Sequence, residues 1–446
     1  MNITYLKQYS KYVIKKLIQK DYLNDNNIRK YQIEKINDII DNAKLNSSFY
    51  KEFYKDVNFK IESLDDVKKL PILKKDIFKN AIKNNTILSN NYNKKDLLCG
   101  HTTGSTGTPL EMCFDKGCST LRSQVQGRLW NDMGILPHKR LVKIWRDKNL
   151  NKVEQKLKDA GLLLPISVGD VNDPLNSAVT NEKILSIINE LQNFNPQVIR
   201  GYVSSLYSIA QLVEKLNVKF NSLESIVTSA EYLPEGIWKY FEEVFNCPVY
   251  NLYGGTEAPS IAVNKKDTHN LKLSEDLYYI EVLDENGNDI KPGEQGLITI
   301  TDLHSKATPL IRYQIGDMAI VDERFYELSN NFRYFVSVEG RTNDIFELED
   351  GSLIYSHLWF VYFRTENWIE KFKVVQESKK RINIKLLVVE NYNHNSLIEL
   401  QKKINSIYPN LNFVWEIVDK FDLENGNKFR SVLSKIENKF NRINKG

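Results

Sequence analysis

A run of glycines and small hydroxyl residues at positions 100–109 has the composition of a loop that binds phosphate. It reads Gly-His-Thr-Thr-Gly-Ser-Thr-Gly-Thr-Pro, and its apolar flanks predict a strand before it and a strand after it. Glycine lets neighbouring backbone N–H groups point at one anion, and hydroxyls add further donors. The candidate phosphate-binding residues are Thr102, Thr103, Gly104, Ser105, Thr106, Gly107 and Thr108.

This run is not a Walker A loop, because Gly107 is followed by Thr108 and Pro109 where that motif needs Lys and then Ser or Thr. A lysine that contacts the phosphates must therefore come from another part of the chain. A flexible turn without any ligand explains the same composition about equally well. Residues farther along the chain have to decide between the two interpretations.

Small and polar residues also follow three predicted strands. They are Gly201 and Tyr202 after residues 197–200, Ser229, Ala230 and Glu231 after residues 225–228, and Tyr253, Gly254, Gly255, Thr256 and Glu257 at the end of residues 248–253 and beyond. Ligands of open parallel sheets bind beyond the carboxyl ends of the strands. These residues therefore form a second candidate site.

Alternating strands and helices are predicted to hold this site in place. Strands at 140–145, 197–200, 225–228 and 248–253 alternate with helices at 120–133, 181–194, 204–217 and 234–245. That order predicts a mostly parallel sheet with helices on both faces. Helical periodicity between residues 5 and 44 predicts further helices that cover it.

Beyond residue 278 the pattern becomes that of antiparallel strands. Apolar runs at 278–283 and 297–301, joined by Asn- and Gly-containing turns, predict hairpins in a small barrel-like part. Strand-like runs at 372–375, 382–389 and 412–418 and a helix at 396–407 predict a compact α+β domain at the end. The expected fold is α/β, with a large N-terminal domain (1–344) and a small C-terminal domain (345–446).

Composition excludes several classes of partner. Of the 446 residues, 41% are hydrophobic and 26% charged, as in ordinary globular proteins. The 61 basic and 57 acidic residues give a net charge of +4, which offers no electrostatic basis for binding nucleic acid. We find no signal peptide and no run of roughly 18 apolar residues that could span a membrane.

The four cysteines, Cys99, Cys113, Cys118 and Cys247, show neither CxxC spacing nor an evident pairing. Unpaired cysteines are typical of a reducing compartment, so we expect a cytoplasmic protein. Zinc held by Cys99, His101, Cys113 and Cys118 is an alternative that fits no recognised zinc spacing. The sequence leaves the oligomeric state open, a homodimer included.

Five motifs in a fixed order resemble those of the adenylate-forming superfamily of acyl-CoA synthetases, nonribosomal adenylation domains and luciferases. The likeness is strongest to its phenylacetate-CoA ligase-like group, which includes capsule-biosynthesis homologues, and it runs from about residue 65 to the end. The motifs are the loop at 102–109, Tyr-Gly-Gly-Thr-Glu at 253–257, Arg-Tyr-Gln-Ile-Gly-Asp at 312–317, Gly-Arg-Thr-Asn-Asp at 340–344 and Asn-Gly-Asn-Lys-Phe-Arg at 425–430.

The resemblance implies that most of these motifs bind ATP and Mg²⁺. The loop at 102–108 would hold the β- and γ-phosphates, Thr256 the α-phosphate and Glu257 the Mg²⁺ ion. Asp317 would accept both ribose hydroxyls with help from Arg341, and Tyr253 would stack on adenine. The other residues implied at the nucleotide are Ser229, Ala230, Glu231 and Gly254. Without the other motifs, Glu257 would be interpreted as an ordinary surface carboxylate.

Lys428 and Asp344 are implied to act through a mobile C-terminal domain. Lys428 would bridge the carboxylate of the acid and the α-phosphate when that domain closes. The glycine that the family places before this lysine is Asn427 here. Asp344 resembles the hinge residue about which the domain turns between adenylate formation and thioester formation.

The expected lining of the pocket for the acid is Trp145, Tyr202, Val203 and Gly254, with Ser229 and Ala230 beside them. It forms an aromatic wall without a clear buried charge, which favours an aromatic or a small hydroxylated acid. Some relatives hold zinc after the Tyr-Gly-x-Thr-Glu motif. Residues 258–273 contain His269 but no cysteine, so we expect no zinc.

We therefore expect an ATP- and Mg²⁺-dependent ligase that converts a small carboxylic acid to an acyl-adenylate and transfers the acyl group to coenzyme A. Transfer to an amine, such as an amino sugar in surface-polysaccharide synthesis, or to a carrier-protein thiol stays open. A nucleotide-binding interaction protein without catalysis is the alternative from another class. The presence of Glu257, Asp317, Arg341 and Lys428 together argues against it.

Replacing Lys428 with alanine tests the most specific of these assignments. The variant should bind ATP nearly as well as the wild type but lose most acyl-adenylate formation, because the cation that neutralises charge at the α-phosphate is gone. Pyrophosphate release with a panel of acids measures the effect, and thermal melting verifies folding. Unchanged release from the folded variant would remove Lys428 from the mechanism.

Overall fold

The computed structural model describes residues 28–101, 111–145, 150–167, 181–231, 233, 235–326, 333–339, 346–349, 353–354, 359, 362–363, 366, 368–389, 392–421 and 432–436. The α-helices in these ranges are α1 (Ile28–Asn46), α2 (Ser48–Phe53), α3 (Lys75–Lys83), α4 (Lys116–Asp132), α5 (Lys152–Asp159), α6 (Asn181–Phe194), α7 (Val203–Lys215), α8 (Glu235–Phe245) and α9 (His394–Ile407). Residues 5–27, where a first helix was predicted, lie outside the described part of the chain.

The strands are numbered in chain order. The first group is β1 (Leu98–His101), β2 (Glu111–Phe114), β3 (Leu141–Trp145), β4 (Leu163–Ser167), β5 (Val198–Gly201), β6 (Ser225–Ser229), β7 (Val249–Tyr253), β8 (Ala262–Asn264), β9 (Leu271–Leu273) and β10 (Tyr278–Leu283). The second is β11 (Gln295–Asp302), β12 (Tyr313–Ile320), β13 (Tyr334–Phe335), β14 (Ser337–Glu339), β15 (Phe346–Glu347), β16 (Leu353–Ile354), β17 (Ile369–Gln376), β18 (Arg381–Val388), β19 (Asn412–Ile417) and β20 (Val432–Ser434).

The largest sheet has eight strands in the order β13-β9-β8-β7-β6-β5-β3-β4. Strands β4, β3, β5, β6 and β7 run parallel, as the alternating pattern predicts, and β6 is buried at every position. Strands β8, β9 and β13 extend the sheet in antiparallel pairing. These three were missed from the sequence, because strands of two or three residues are too short to show a period, and β4 was missed as well.

A second sheet pairs β10, β11, β12 and β14 antiparallel. The hairpin predicted at 278–283 and 297–301 is present as β10 and β11. Its turn is fastened by Asp284, whose Oδ1 accepts hydrogen bonds from the N–H groups of Asn286 and Asn288, both at 2.8 Å. Gly287 has φ +84°, which favours glycine at this point of the turn.

The C-terminal strands form a separate sheet with its own core. It has the order β19-β18-β17-β20, and α9 contributes Leu397, Leu400 and Ile404 to the buried apolar cluster. Trp359 and Phe363 are fully buried in the same cluster. The strands and helix predicted here are present within one or two residues at most ends. The domain division at 344/345 stays a prediction, because residues 340–345 lie outside the described ranges.

Arg312 joins three parts of the N-terminal fold through one buried side chain, which is 2% exposed. Its Nε donates to Glu281 Oε2 at 3.0 Å, and its Nη2 donates to Glu281 Oε1 at 2.7 Å. Its Nη1 donates to the carbonyl oxygens of Lys68 at 2.9 Å and Leu70 at 2.6 Å. Burial raises the pKa of Glu281, and the Arg312 guanidinium opposes that shift.

The backbone next to Arg312 continues this connection toward α3. The Leu73 N–H donates to the Arg312 carbonyl at 2.9 Å, and the Gln314 N–H donates to the Leu73 carbonyl at 3.0 Å. Residues 68–75 therefore run beside the start of β12, and α3 begins there with Lys75. In the described part of the chain, no helix has the length and apolar character that crossing a membrane requires.

Replacing Glu281 with alanine should destabilise the fold by about 3–5 kcal/mol, because it leaves the buried Arg312 charge without a partner. Glu52→Ala is the matched control, since it breaks an exposed pair with Lys55 and should leave the stability nearly unchanged. Urea unfolding followed by tryptophan fluorescence measures both. Equal stability of the two variants would show that the buried pair does not hold these segments together.

Candidate active site

The parallel strands bring the predicted site residues to one edge of the large sheet. Register pairs Trp145 with Ser167, Gly201 with Thr228 and Ser229 with Leu252, so β3, β5, β6 and β7 end close to one another. Tyr202, Ala230 and Gly254 follow these strand ends directly. A ligand at this edge would face residues from four strands at once.

The turn after β7 has a backbone that requires glycine. A Cβ on Gly254 would lie 2.5 Å from the Ser260 nitrogen and 3.0 Å from the Ala258 oxygen, which are backbone atoms that cannot move aside. The Gly255 N–H donates to the Ala258 carbonyl at 2.9 Å and closes the turn. The turn presents Thr256, which is half-buried, beside Glu257.

Glu257 is buried at 8% exposure, so it is not the ordinary surface carboxylate that was the alternative. Its backbone carbonyl accepts a hydrogen bond at 3.3 Å from Nη2 of Arg122, a residue of α4. The Lys75 ammonium lies 3.9 Å from Glu257 Oε1 and donates to the Ile315 carbonyl at 3.4 Å. The carboxylate thus lies near a cation at the junction of the large sheet, α3 and β12.

Arg122 anchors the turn that contains Glu257. Its guanidinium forms a buried ion pair with Asp302 at the end of β11 and lies 4.0 Å over the ring of Phe114 on β2. Sequence analysis missed both Arg122 and Lys75. Neither residue lies in a motif. The contact that identifies Arg122 joins it to Glu257, which is 135 positions away in the sequence.

Tyr253 and Asp317, which come from different sheets, are joined by a hydrogen bond. The Tyr253 hydroxyl donates to Asp317 Oδ2 at 2.9 Å, and both side chains are half-buried. The sequence predicted a base-stacking ring and a ribose-binding carboxylate at these positions. The structure brings the two side chains together, as binding of one nucleoside by both requires.

The segment after β6 has an uncommon backbone. Ala230 has φ +67°, a left-handed conformation that non-glycine residues seldom adopt and that is often found at functional sites. Ser229 before it is buried, and Glu231 after it is half-buried. Ala230 itself is exposed, so the strained backbone is open to a ligand.

The β1–β2 hairpin approaches this turn. Leu98 pairs with Phe114 and His101 with Glu111. A Cβ built on Gly100 in β1 would lie 3.8 Å from Cγ2 of Thr256, so this strand lies beside the residue expected at the α-phosphate. The predicted phosphate loop joins β1 to β2 in the sequence.

Several predicted site residues lie outside the described part of the chain. They are Thr102, Thr103, Gly104, Ser105, Thr106, Gly107 and Thr108 of the loop, Arg341, the hinge residue Asp344, and Lys428. Their assignments rest on the sequence motifs.

The cysteine prediction was wrong, because Cys99 and Cys113 form a disulfide across the β1–β2 hairpin. A separation of 14 positions does not reveal the hairpin register that places the two side chains opposite each other. The argument for a reducing compartment therefore fails. The zinc alternative fails with it, since disulfide sulfurs are not thiolate ligands. Cys118 and Cys247 are free thiols, and burial raises the pKa of both, that of Cys247 to about 12, so neither is a thiolate nucleophile at neutral pH.

The residues predicted to line the acid pocket lie together, and a charged side chain that the sequence did not identify lies beside them. The rings of Trp145 and Tyr202 stack with centroids 4.3 Å apart, and Val203 is buried at the start of α7. The guanidinium carbon of Arg200 lies 5.3 Å from the Trp145 ring centroid. Arg200 was overlooked because a single arginine inside a strand looks like a solvent-facing position.

The donor set around Glu257 fits Mg²⁺ bound together with phosphates. Mg²⁺ sites at nucleotides use one or two carboxylates, substrate phosphate oxygens and water, and Glu257 supplies one buried carboxylate. His269, the histidine considered for zinc, stacks on Trp238 with centroids 4.1 Å apart and lies 2.7 Å from Glu235.

Tyr253→Phe and Asp317→Ala test the hydrogen-bonded pair. Asp317→Ala should weaken ATP binding about 100-fold by removing an ionic acceptor, and Tyr253→Phe about 3- to 10-fold by loosening that acceptor. Calorimetric titration with ATP measures both. Tyr54→Phe is the control, because its buried hydroxyl has no hydrogen-bond partner in the described ranges. ATP binding by Asp317→Ala equal to that of the wild type would exclude the ribose role.

Two family models match the chain in sequence. Residues 175–303 match the model for AMP-binding enzymes, and residues 346–435 match the CapK C-terminal domain. Protein CapK of Staphylococcus aureus is 25% identical over 430 residues, which cover 92% of this chain and 90% of CapK. Phenylacetate-coenzyme A ligase of Thermus thermophilus is 27% identical over 178 residues, which cover 39% of each chain.

A solved structure supports the same relationship at the level of the fold. The structure of 2-hydroxyisobutyryl-CoA ligase in the postadenylation state superimposes with a TM-score of 0.67 at 16% identity, and covers 93% of this chain and 90% of that one. The predicted α/β fold is therefore confirmed. In its motif order, in the two family models that match it and in its fold, the chain is similar to the adenylate-forming enzymes of the phenylacetate-CoA ligase-like and CapK group.

Proposed function

We propose that this adenylate-forming ligase activates a small carboxylic acid with ATP and passes the acyl group to coenzyme A. A carboxylate oxygen attacks the α-phosphorus, the bond to the bridging oxygen of the β-phosphate breaks, and pyrophosphate leaves. Thr256 and Glu257 beside the hydrogen-bonded pair Tyr253 and Asp317 are the observation on which the proposal rests. They supply groups for a phosphate, a metal and a nucleoside at one strand edge.

Each described residue has a distinct part in the proposal. Glu257 would hold the Mg²⁺ ion, which when bound would offset the charge of the phosphates. The Lys75 ammonium, 3.9 Å from Glu257, would orient that carboxylate until the ion binds. Arg122 would keep the turn in place through its buried pair with Asp302. Asp317 would hold the ribose hydroxyls with Tyr253 against the base.

The remaining assignments follow from the motifs. The loop at 102–108 would bind the β- and γ-phosphates, and Arg341 would assist at the ribose. Lys428 would reach the α-phosphate from the small domain at 345–446, which would turn about Asp344 between the two half-reactions. ATP and coenzyme A as substrates are the reason that we propose a cytoplasmic location.

The acceptor is the part of the proposal with alternatives. A thiol of coenzyme A, a thiol of a carrier protein and the amine of an amino sugar can each attack the acyl-adenylate carbonyl and release AMP. Coenzyme A is preferred because CoA ligases appear among both the sequence relatives and the structural neighbours. The amine stays an alternative because the CapK relative matches most of the chain.

ATP–pyrophosphate exchange with a panel of acids, followed by mass spectrometry of the products, tests this function. The wild type should exchange with at least one acid and form an acyl-CoA when coenzyme A is added. Glu257→Gln should lower the exchange rate by on the order of 10², because a charged metal ligand becomes neutral. Glu243→Gln, an exposed change on α8, should leave the rate unchanged.

The outcomes separate the alternatives. An acyl-adenylate that persists with coenzyme A but disappears with an amino sugar or a carrier protein would move the acceptor to the amine or the carrier thiol. No exchange with any acid, from protein that binds ATP, would support the inactive nucleotide-binding alternative. Equal loss in Glu257→Gln and Glu243→Gln would remove Glu257 from the mechanism.

A further inference from the structure

Arg200 lies one residue before the end of β5, at the edge where the acid is proposed to bind. Parallel register pairs it with Lys143 on β3 and with Val227 on β6. Side chains alternate along a strand, so Trp145, two residues beyond Lys143, belongs to the same face of the sheet as Arg200. The long arginine side chain can therefore reach the stacked rings of Trp145 and Tyr202 at the strand ends.

The guanidinium of Arg200 is surrounded by rings rather than by carboxylates. Its central carbon lies 5.3 Å from the ring centroid of Trp145 and 5.7 Å from that of Trp130, on α4. Among the residues that the structure describes, none forms a hydrogen bond or an ion pair with it. Glu154, the acidic side chain whose charge acts on Arg200, forms an ion pair with Lys143 at 2.7 Å.

Two buried donors in this cluster have no acceptor among the residues that the structure describes. They are Nε of Arg200 and the indole Nε1 of Trp130. Buried polar groups without a partner are uncommon in native proteins, and those that occur often mark a place where water, an ion or a ligand belongs. Arg200 is half-buried as a residue, whereas its Nε atom is enclosed.

The backbone beside Arg200 adds to the positive character of the site. Helix α7 begins two residues after the end of β5, and the side chain of its N-cap residue, Tyr202, makes no capping hydrogen bond. The N-terminus of a helix carries partial positive charge and unpaired N–H groups. A guanidinium and an uncapped helix end thus lie next to each other at the carboxyl end of β5.

We propose that Arg200 is the specificity-determining residue of the acid pocket and binds a second anionic group of the substrate. The acid would then be a dicarboxylate rather than a monocarboxylate. One carboxylate would react at the α-phosphate beside Thr256, and the other would form a charge-assisted hydrogen bond with Arg200 between the indole rings. This inference rests on the proposed function, since it concerns the acid that the same site activates.

Matched acids test the inference. Succinate, glutarate and adipate are compared with butyrate, valerate and hexanoate, which have the same chain lengths but a methyl group in place of one carboxylate. In ATP–pyrophosphate exchange, the wild type should prefer at least one dicarboxylate over its partner by tenfold or more. Arg200→Gln should lower kcat/KM for that dicarboxylate about 10- to 100-fold and change that for the matched monocarboxylate less than threefold.

Two further variants separate recognition from folding. Lys143→Gln changes a cation on the same face that already has a carboxylate, so it should affect both acids equally. Arg200→Lys keeps the charge and should retain part of the preference for the dicarboxylate. Thermal melting with and without glutarate gives a second readout, because a ligand that binds the folded state raises the melting temperature. That rise should be absent in Arg200→Gln.

The results distinguish failure of this inference from failure of the proposed function. One outcome is that the wild type exchanges as fast with monocarboxylates as with dicarboxylates, with Arg200→Gln changing kcat/KM equally for both. That result would overturn the role of Arg200 but leave the ligase activity supported. No exchange with either series, and no shift in melting with glutarate, would overturn the inference and count against the activity. If Arg200→Gln does not fold, the role of Arg200 is decided by comparing the dicarboxylate preference of the wild type with that of Arg200→Lys.

Discussion

The buried pair of Arg312 and Glu281 is the interaction on which the geometry of the site depends. It fastens the start of β12 to β10 and, through the carbonyls of Lys68 and Leu70, to the segment that leads into α3. Asp317 lies on that strand, and Lys75 begins that helix. The Arg312 guanidinium therefore positions two charged groups. They are Asp317, which lies beside Tyr253, and Lys75, which lies beside Glu257.

Local patterns account for most of the fold that could be predicted. The helix at 181–194 and the strand at 278–283 have the predicted bounds, because a helical or alternating period over six or more residues is a property of the segment itself. The order of these elements was sufficient to predict the parallel sheet and the edge where Tyr253 and Ser229 lie. The short strands β8, β9 and β13 were missed, because they exist only by pairing with a neighbour.

The parts of the site that were not predicted all depend on contacts between distant positions. Arg122 is 180 residues from Asp302, its buried partner. Cys99 and Cys113 are close in sequence, but only the hairpin register brings them together. Motifs identified Glu257 and Asp317, since their residue types and order are fixed by chemistry. The cations that hold the motifs in place lie on elements whose sequences carry no comparable signature.

The pairing of the arginines gives the reason for treating Arg200 as a binding residue. Arg122, Arg312 and Arg333 are each buried with a carboxylate, namely Asp302, Glu281 and Glu275. The fold thus neutralises a buried guanidinium where the charge serves only structure, as desolvation of an ion requires. Arg200 departs from this rule among the described residues, at the strand edge that the other three help to build. A charge of this kind at a binding site can be paired by an anionic group of the bound substrate.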